Sequence, residues 1–107
     1  MIKVYLSGKM TGLPKEEYTA LFSRAESFYK NAGFDVINPV VIGEELLKKK
    51  PKAGYEDFMK ADLKALKGCS HIDLLENWET SPGANREKEE AERLGLEVMH
   101  LRFFNKI

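Results

Sequence analysis

Six glutamates fall within the stretch ETSPGANREKEEAERLGLEV, residues 79–98. Five of them read as solvated charge, and Glu87 does not. Pro82 is tolerated in the first turn of a helix, and on the helix it opens Ala84, Glu87, Ala91 and Leu94 share one face. Glu89, Glu90 and Glu92 point elsewhere and, with Lys88 and Arg93, make the wet side. Glu87 thus keeps company with small inward residues and is expected in the first turn, where free N–H groups and the helix dipole favour the ionised form. Such a carboxylate suits a nucleophile, with a low expected pKa.

A second acid breaks the same rule. In YEDFMKADLKALKG, the residues Tyr55, Phe58, Met59 and Leu66 form an apolar helical stripe, and Asp62 lies in its middle. An inward aspartate is expensive to bury unless it is hydrogen-bonded or lines a cavity. Its bland alternative is to tie down a loop or a helix end. Two carboxyls flanking a reactive carbon are what glycosidic cleavage needs. One attacks or stabilises the sugar carbon, and the other gives a proton to the leaving group.

The elements that must position these acids alternate. IKVYLSG and FDVINP read as strands, with a helix between them from about Tyr18 to Ala32 that Gly33 stops. Residues 40–53 are ambiguous, with a weak helical turn or two around Glu44–Lys50. The Asp62 helix follows and stops at Gly68. HIDLL is a third strand, the Glu87 helix runs to Gly95, LEVMHL is a fourth strand, and RFFNKI is a tail that could add a fifth. Alternating strands and helices predict an α/β fold: a small doubly wound parallel sheet of four to five strands, a Rossmann-like or flavodoxin-like three-layer sandwich. Ligands in such folds sit beyond the carboxyl ends of the strands. That rule gathers the loops Ser7–Gly12, Asn38–Val40 and Glu76–Gly83 at one rim, with whatever follows Leu101.

From these loops Ser7, Gly8 and Met10 are candidate substrate contacts, because Ser7, Gly8 and Gly12 permit close backbone approach to an anion. The string GKMT only echoes a phosphate-binding loop, since the full motif is absent. Ser81, Gly83 and Ala84 open the Glu87 helix, where free N–H groups offer an anion site; Ser81 also reads as an N-cap. Asn38, before Pro39, is a strand-end turn residue and a further candidate contact. Trp78 reads as packing against the domain rather than as a base-stacking surface.

Bulk properties exclude several classes. A length of 107 residues suits one domain over residues 1–107. Lys and Arg number 17 and so do Asp and Glu, so no net field recruits a nucleic-acid polymer or an anionic membrane. The run Lys48–Lys52 reads as a solvated helix end. No segment approaches the ~20 apolar residues that span a bilayer. Cys69 is the one cysteine, which excludes an internal disulfide and fits a reducing cytosol. A Cys69–His71 metal site has no second ligand pair at zinc-like spacing. The expectation is a cytoplasmic protein without metal. The apolar tail and the small size together suggest a homo-oligomer, most simply a dimer.

VYLSGKMTG, ADLKAL and SPGANREKEEAERLG, in that order, resemble the nucleoside 2-deoxyribosyltransferase-like superfamily. Within it the pattern is most similar to the short DUF4406 proteins, over nearly the whole chain. The resemblance implies cofactor-free N-glycosidic chemistry on a small molecule, a deoxynucleoside or its 5′-monophosphate. It places the family's strand-one tyrosine on Tyr5, which would orient the nucleophile by a hydrogen bond. It places the proton-donating aspartate on Asp62 and the nucleophilic glutamate on Glu87. The family's transferases carry an aspartate six positions before the nucleophile, whereas this chain has Ser81, as the monophosphate N-hydrolases do. That favours hydrolysis over transfer. The alternative on the same fold is a non-catalytic nucleotide-binding sensor. A flavin carrier is disfavoured because the first loop lacks a run of hydroxyl residues.

Overall fold

The structure, a computed structural model, describes residues 2–102. Four strands, β1 (Lys3–Ser7), β2 (Asp35–Ile37), β3 (His71–Leu74) and β4 (Glu97–Met99), form a sheet in the order β2-β1-β3-β4. All three pairings are parallel. Four helices connect them: α1 (Lys15–Asn31), α2 (Pro39–Lys49), α3 (Tyr55–Leu66) and α4 (Pro82–Leu94). A single 3-10 turn, Trp78–Thr80, precedes α4. The expected doubly wound parallel sheet is therefore present. The expected fifth strand falls largely on residues 103–107, outside the described residues.

The topology follows from strand alternation and crossover hand. From β1 the chain steps to one side to reach β2, then crosses back to β3 and on to β4. Right-handed crossovers in opposite directions put helices on opposite faces. Val4 and Leu6 accordingly pack with Phe22, Ala25 and Tyr29 of α1. Tyr5, one residue out of phase, packs with Leu66 of α3, Ala91 of α4, and Ile72 and Leu74. Buried on both faces, β1 reads as a nearly unbroken apolar run. Ser7 has the parity of Tyr5, so its side chain also faces the α3–α4 layer.

Helix boundaries match their local signals. Gly33 and Gly95 take left-handed φ values of 90° and 79° just past α1 and α4, a conformation glycine adopts without strain. Asn38 and Ser81 cap α2 and α4, each accepting from the backbone N–H two or three residues on. The ambiguous region after residue 40 is a full helix, α2. Its helical signal was blurred because apolar residues occupy several sides of it. Val40 is buried while Val41 and Leu47 are exposed. Leu94 also departs from expectation: it closes the inward stripe of α4 in spacing, yet the end of the helix leaves it exposed. Among the described residues, no helix is long and apolar enough to cross a membrane.

Candidate active site

The order β2-β1-β3 makes the gap between the carboxyl ends of β1 and β3 the point where connections leave in opposite directions, the usual ligand position in such sheets. Beside it lies a cavity of about 520 Å³, lined by the first loop, the start of α1, α2, α3 and the first turns of α4. That volume is within the range of small-molecule sites.

Glu87 is the centre of the site. It is only 5% exposed although it lines the cavity. Tyr5 Oη donates to its Oε2 at 2.7 Å, and Ser7 Oγ donates to its Oε1 at 2.7 Å. Both donors come from β1, two residues apart, so the pleat itself aims them at one carboxylate. Asp62, on α3, hydrogen-bonds the same group. Two ionised carboxylates can only accept, so this contact requires a proton between them.

Electrostatics assign that proton. Burial, then the charge of Glu87, then the hydrogen bond to it push the Asp62 carboxyl up to about 8. Burial also raises Glu87, to about 7, against hydrogen bonds from Ser7, Tyr5 and Asp62 that favour its charge. Both carboxyls are thus raised and share one proton near neutral pH. Glu87, with a hydroxyl donating to each of its oxygens, is the better placed to be the anion, which leaves the proton to Asp62. The low pKa expected for Glu87 from the helix dipole is corrected here. Glu87 is the sixth residue of α4, beyond the turn where the dipole acts strongly, and desolvation dominates. Burial and the neighbouring carboxylates hold the Tyr5 phenol far above its ordinary value, so it stays a donor.

The other predicted contacts divide. Gly8, Met10, Ser81, Gly83 and Ala84 line the cavity together with Asp62 and Glu87. Ser7 does not offer itself to a ligand: it is fully buried and its hydroxyl is committed to Glu87. Asn38 is likewise engaged elsewhere. Its side chain accepts from Val40 N and donates to Glu26, and it borders a separate hollow on the other side of α2. Gly8 has a packing reason to be glycine, since a Cβ there would sit 3.2 Å from Leu75 and Phe22. At the start of α4, Ala84 N–H is given to Ser81 Oγ and Asn85 N–H to Ser81 O, and Pro82 has none. The anion site expected there is thus mostly closed by the protein, although the Ser81 hydroxyl keeps its own proton to donate. Trp78 packs in the α4 layer near Lys88 and His100, outside the cavity lining.

Lys15, Tyr18, Gly43, Glu44 and Leu47 also line the cavity and were not legible as site residues. Lys15 and Tyr18 lie one turn apart on α1, and Gly43 and Leu47 one turn apart on α2. That spacing becomes a signal only once α2 is recognised as a helix. Among the described residues, no group of three or more His, Cys, Asp or Glu side chains is placed to hold a metal ion.

The fold is a doubly wound parallel sheet with two acids, Glu87 buried and Asp62 half-buried, beside its switch point. Residues 2–100 match the model of the family described as Domain of unknown function (DUF4406), and the chain belongs to that family. No curated protein matches it. Among solved structures, the Clostridium botulinum CMP N-glycosidase BcmB is similar, with a TM-score of 0.60 at 18% identity. The alignment covers 92% of this chain and 66% of that one, so the chain spans just under two thirds of its length. The shared fold and the family match agree with the resemblance to the nucleoside 2-deoxyribosyltransferase-like superfamily carried by VYLSGKMTG and SPGANREKEEAERLG.

Proposed function

We propose that this protein cleaves the N-glycosidic bond of a small nucleoside or nucleoside 5′-monophosphate, with Glu87 as nucleophile and Asp62 as general acid. The observation that carries the reading is Glu87, held by Tyr5 and Ser7, lining one nucleotide-sized cavity together with Asp62. A Glu87 oxygen attacks C1′ as the C1′–N bond breaks and its electron pair leaves with the base. Asp62 gives its proton to that departing nitrogen. The resulting Asp62 carboxylate then takes a proton from water, whose oxygen attacks C1′, and the sugar–Glu87 ester bond breaks. Glu87 leaves as carboxylate and Asp62 is again the acid, so the cycle closes.

The contact of the two carboxyls is nearer to the spacing of a double-displacement pair, roughly 5–5.5 Å, than to the roughly 6.5–9.5 Å that houses a directly attacking water. The structural likeness to a protein named as a CMP N-glycosidase lends support at the level of fold. Ser81, in the position where the family's monophosphate hydrolases contact phosphate, favours hydrolysis of a monophosphate over transfer between bases. A homo-oligomer completing the cavity mouth belongs to the same proposal.

The test is release of free base from a panel of ribo- and deoxynucleosides and their 5′-monophosphates, with and without an acceptor base. Wild type should turn over at least one member, and Glu87→Ala and Asp62→Asn should not match it. A panel without turnover, or variants equal to wild type, ends the proposal.

A further inference from the structure

Glu87 receives one hydroxyl on each oxygen, Tyr5 on Oε2 and Ser7 on Oε1. We propose that Ser7 is a positioning residue: it locks the plane of the Glu87 carboxylate and holds Glu87, rather than Asp62, as the ionised member of the pair. With Tyr5 alone, the carboxylate could turn about its terminal bond and trade oxygens. Two donors fixed on one strand, on two different oxygens, remove that freedom. Ser7 is 0% exposed, so no solvent molecule can stand in for its hydroxyl. A proton placed on Glu87 Oε1 would turn Ser7 into the acceptor and leave its buried hydroxyl hydrogen without that partner, whereas the same proton on Asp62 keeps the Ser7 bond.

Lys15 of α1 and Glu44 of α2 line the same cavity, but the groups that act on Glu87 are fewer. From α3, Asp62 supplies the shared proton. From β1, Tyr5 supplies the other donor. On α4 itself, the charge of Arg86 favours the Glu87 anion weakly, and that guanidinium is exposed and paired with Glu56 of α3 at 2.9 Å. On β3, Asp73 faces away, accepting from Tyr29 at 2.6 Å; Glu97 on β4 is exposed. Among the influences that favour the Glu87 anion against burial, the Ser7 hydrogen bond comes first.

The catalytic consequence rests on the N-glycosidase reading, but the protonation claim stands without it. The experiment therefore pairs a ¹³C NMR titration of the Glu87 side-chain carboxyl with the pH dependence of kcat, in Ser7→Ala and Ser7→Cys. Serine to alanine is close to isosteric, and the thiol is a weaker donor than the hydroxyl. In Ser7→Ala the Glu87 titration should move up by about one pH unit or more, the loss of one hydrogen bond to a charged group. The acid limb of kcat should move with it, with KM nearly unchanged and Ser7→Cys in between. Titrations that coincide in all three proteins overturn the proposal, as does a fall in kcat with an unshifted pH profile. A Glu87 titration that moves while no protein releases base upholds Ser7 as the positioning residue and removes the glycosidase reading instead.

Discussion

Tyr5 Oη lies 2.7 Å from Glu87 Oε2, joining the first strand to the last helix across 82 residues of chain. Both groups are buried, so the bond does not compete with water. Tyr5→Phe keeps the ring and its packing and deletes this one donor. The expected result is a loss of about tenfold in kcat/KM for base release, the worth of one hydrogen bond to a charged group, with little change in fold by circular dichroism. Undiminished activity would show that Glu87 does not depend on Tyr5.

Asp62 is assigned to the leaving base, so its importance should depend on how badly that base needs a proton. Asp62→Asn should cost about 10²–10⁴ in rate on ordinary nucleosides and far less on one whose base departs without protonation. Equal losses on both substrates would move Asp62 from acid catalysis to mere support.

The pair must hold a single proton to react, which gives a bell-shaped rate profile. The alkaline limb should fall near 8, where Asp62 gives up its proton, and the acid limb below it, where Glu87 takes one up. In Asp62→Asn the residual activity should lose the alkaline limb. A profile flat from about 6 to 9, a span that takes in both limbs of such a bell, would contradict the assignment.

Stability carries the same signature. The folded chain keeps the Asp62 proton up to about 8, whereas an unfolded aspartate releases it near ~4. Unfolding therefore releases protons in that window, and stability falls as pH rises through it. Asp62→Asn removes the ionisation and should raise Tm at alkaline pH, by about 5 °C for a chain of this size, with a smaller difference in acid. Tm curves that run parallel between the two proteins would refute this.

Gly83 sits in the first turn of α4 with ordinary helical geometry, and a Cβ there would meet Met59 Sδ at 3.4 Å and Tyr55 Oη at 3.7 Å across the cavity. Gly83→Ala should stabilise the helix by about 0.5–1 kcal/mol while narrowing the space for substrate. Thermal unfolding and KM should therefore rise together. A KM equal to that of wild type would place the substrate away from this end of α4.

Much of this was legible in the residues. Alternating strands and helices, punctuated by Gly33, Pro39 and Gly95, were enough for a doubly wound sheet, because each element carries its own periodicity and its own stop. Asp62 and Glu87 stood out because acids on apolar helical faces violate the cost of burial. Local pattern could not reach further. Ser7 looked like a loop residue open to ligand, and strand parity together with the packing of α4 turned it into a donor to Glu87. The proton shared by Asp62 and Glu87, and the upward titration of both, depend on two helices meeting, and spacing along either helix says nothing of that distance. Asn38 was consumed by capping α2 and by Glu26, and the N-cap legible at Ser81 took the Ala84 N–H that a ligand would have needed. The sequence by itself determined which acids had to face inward; tertiary packing decided that they face each other, because only the sheet order brings β1, α3 and α4 to one point.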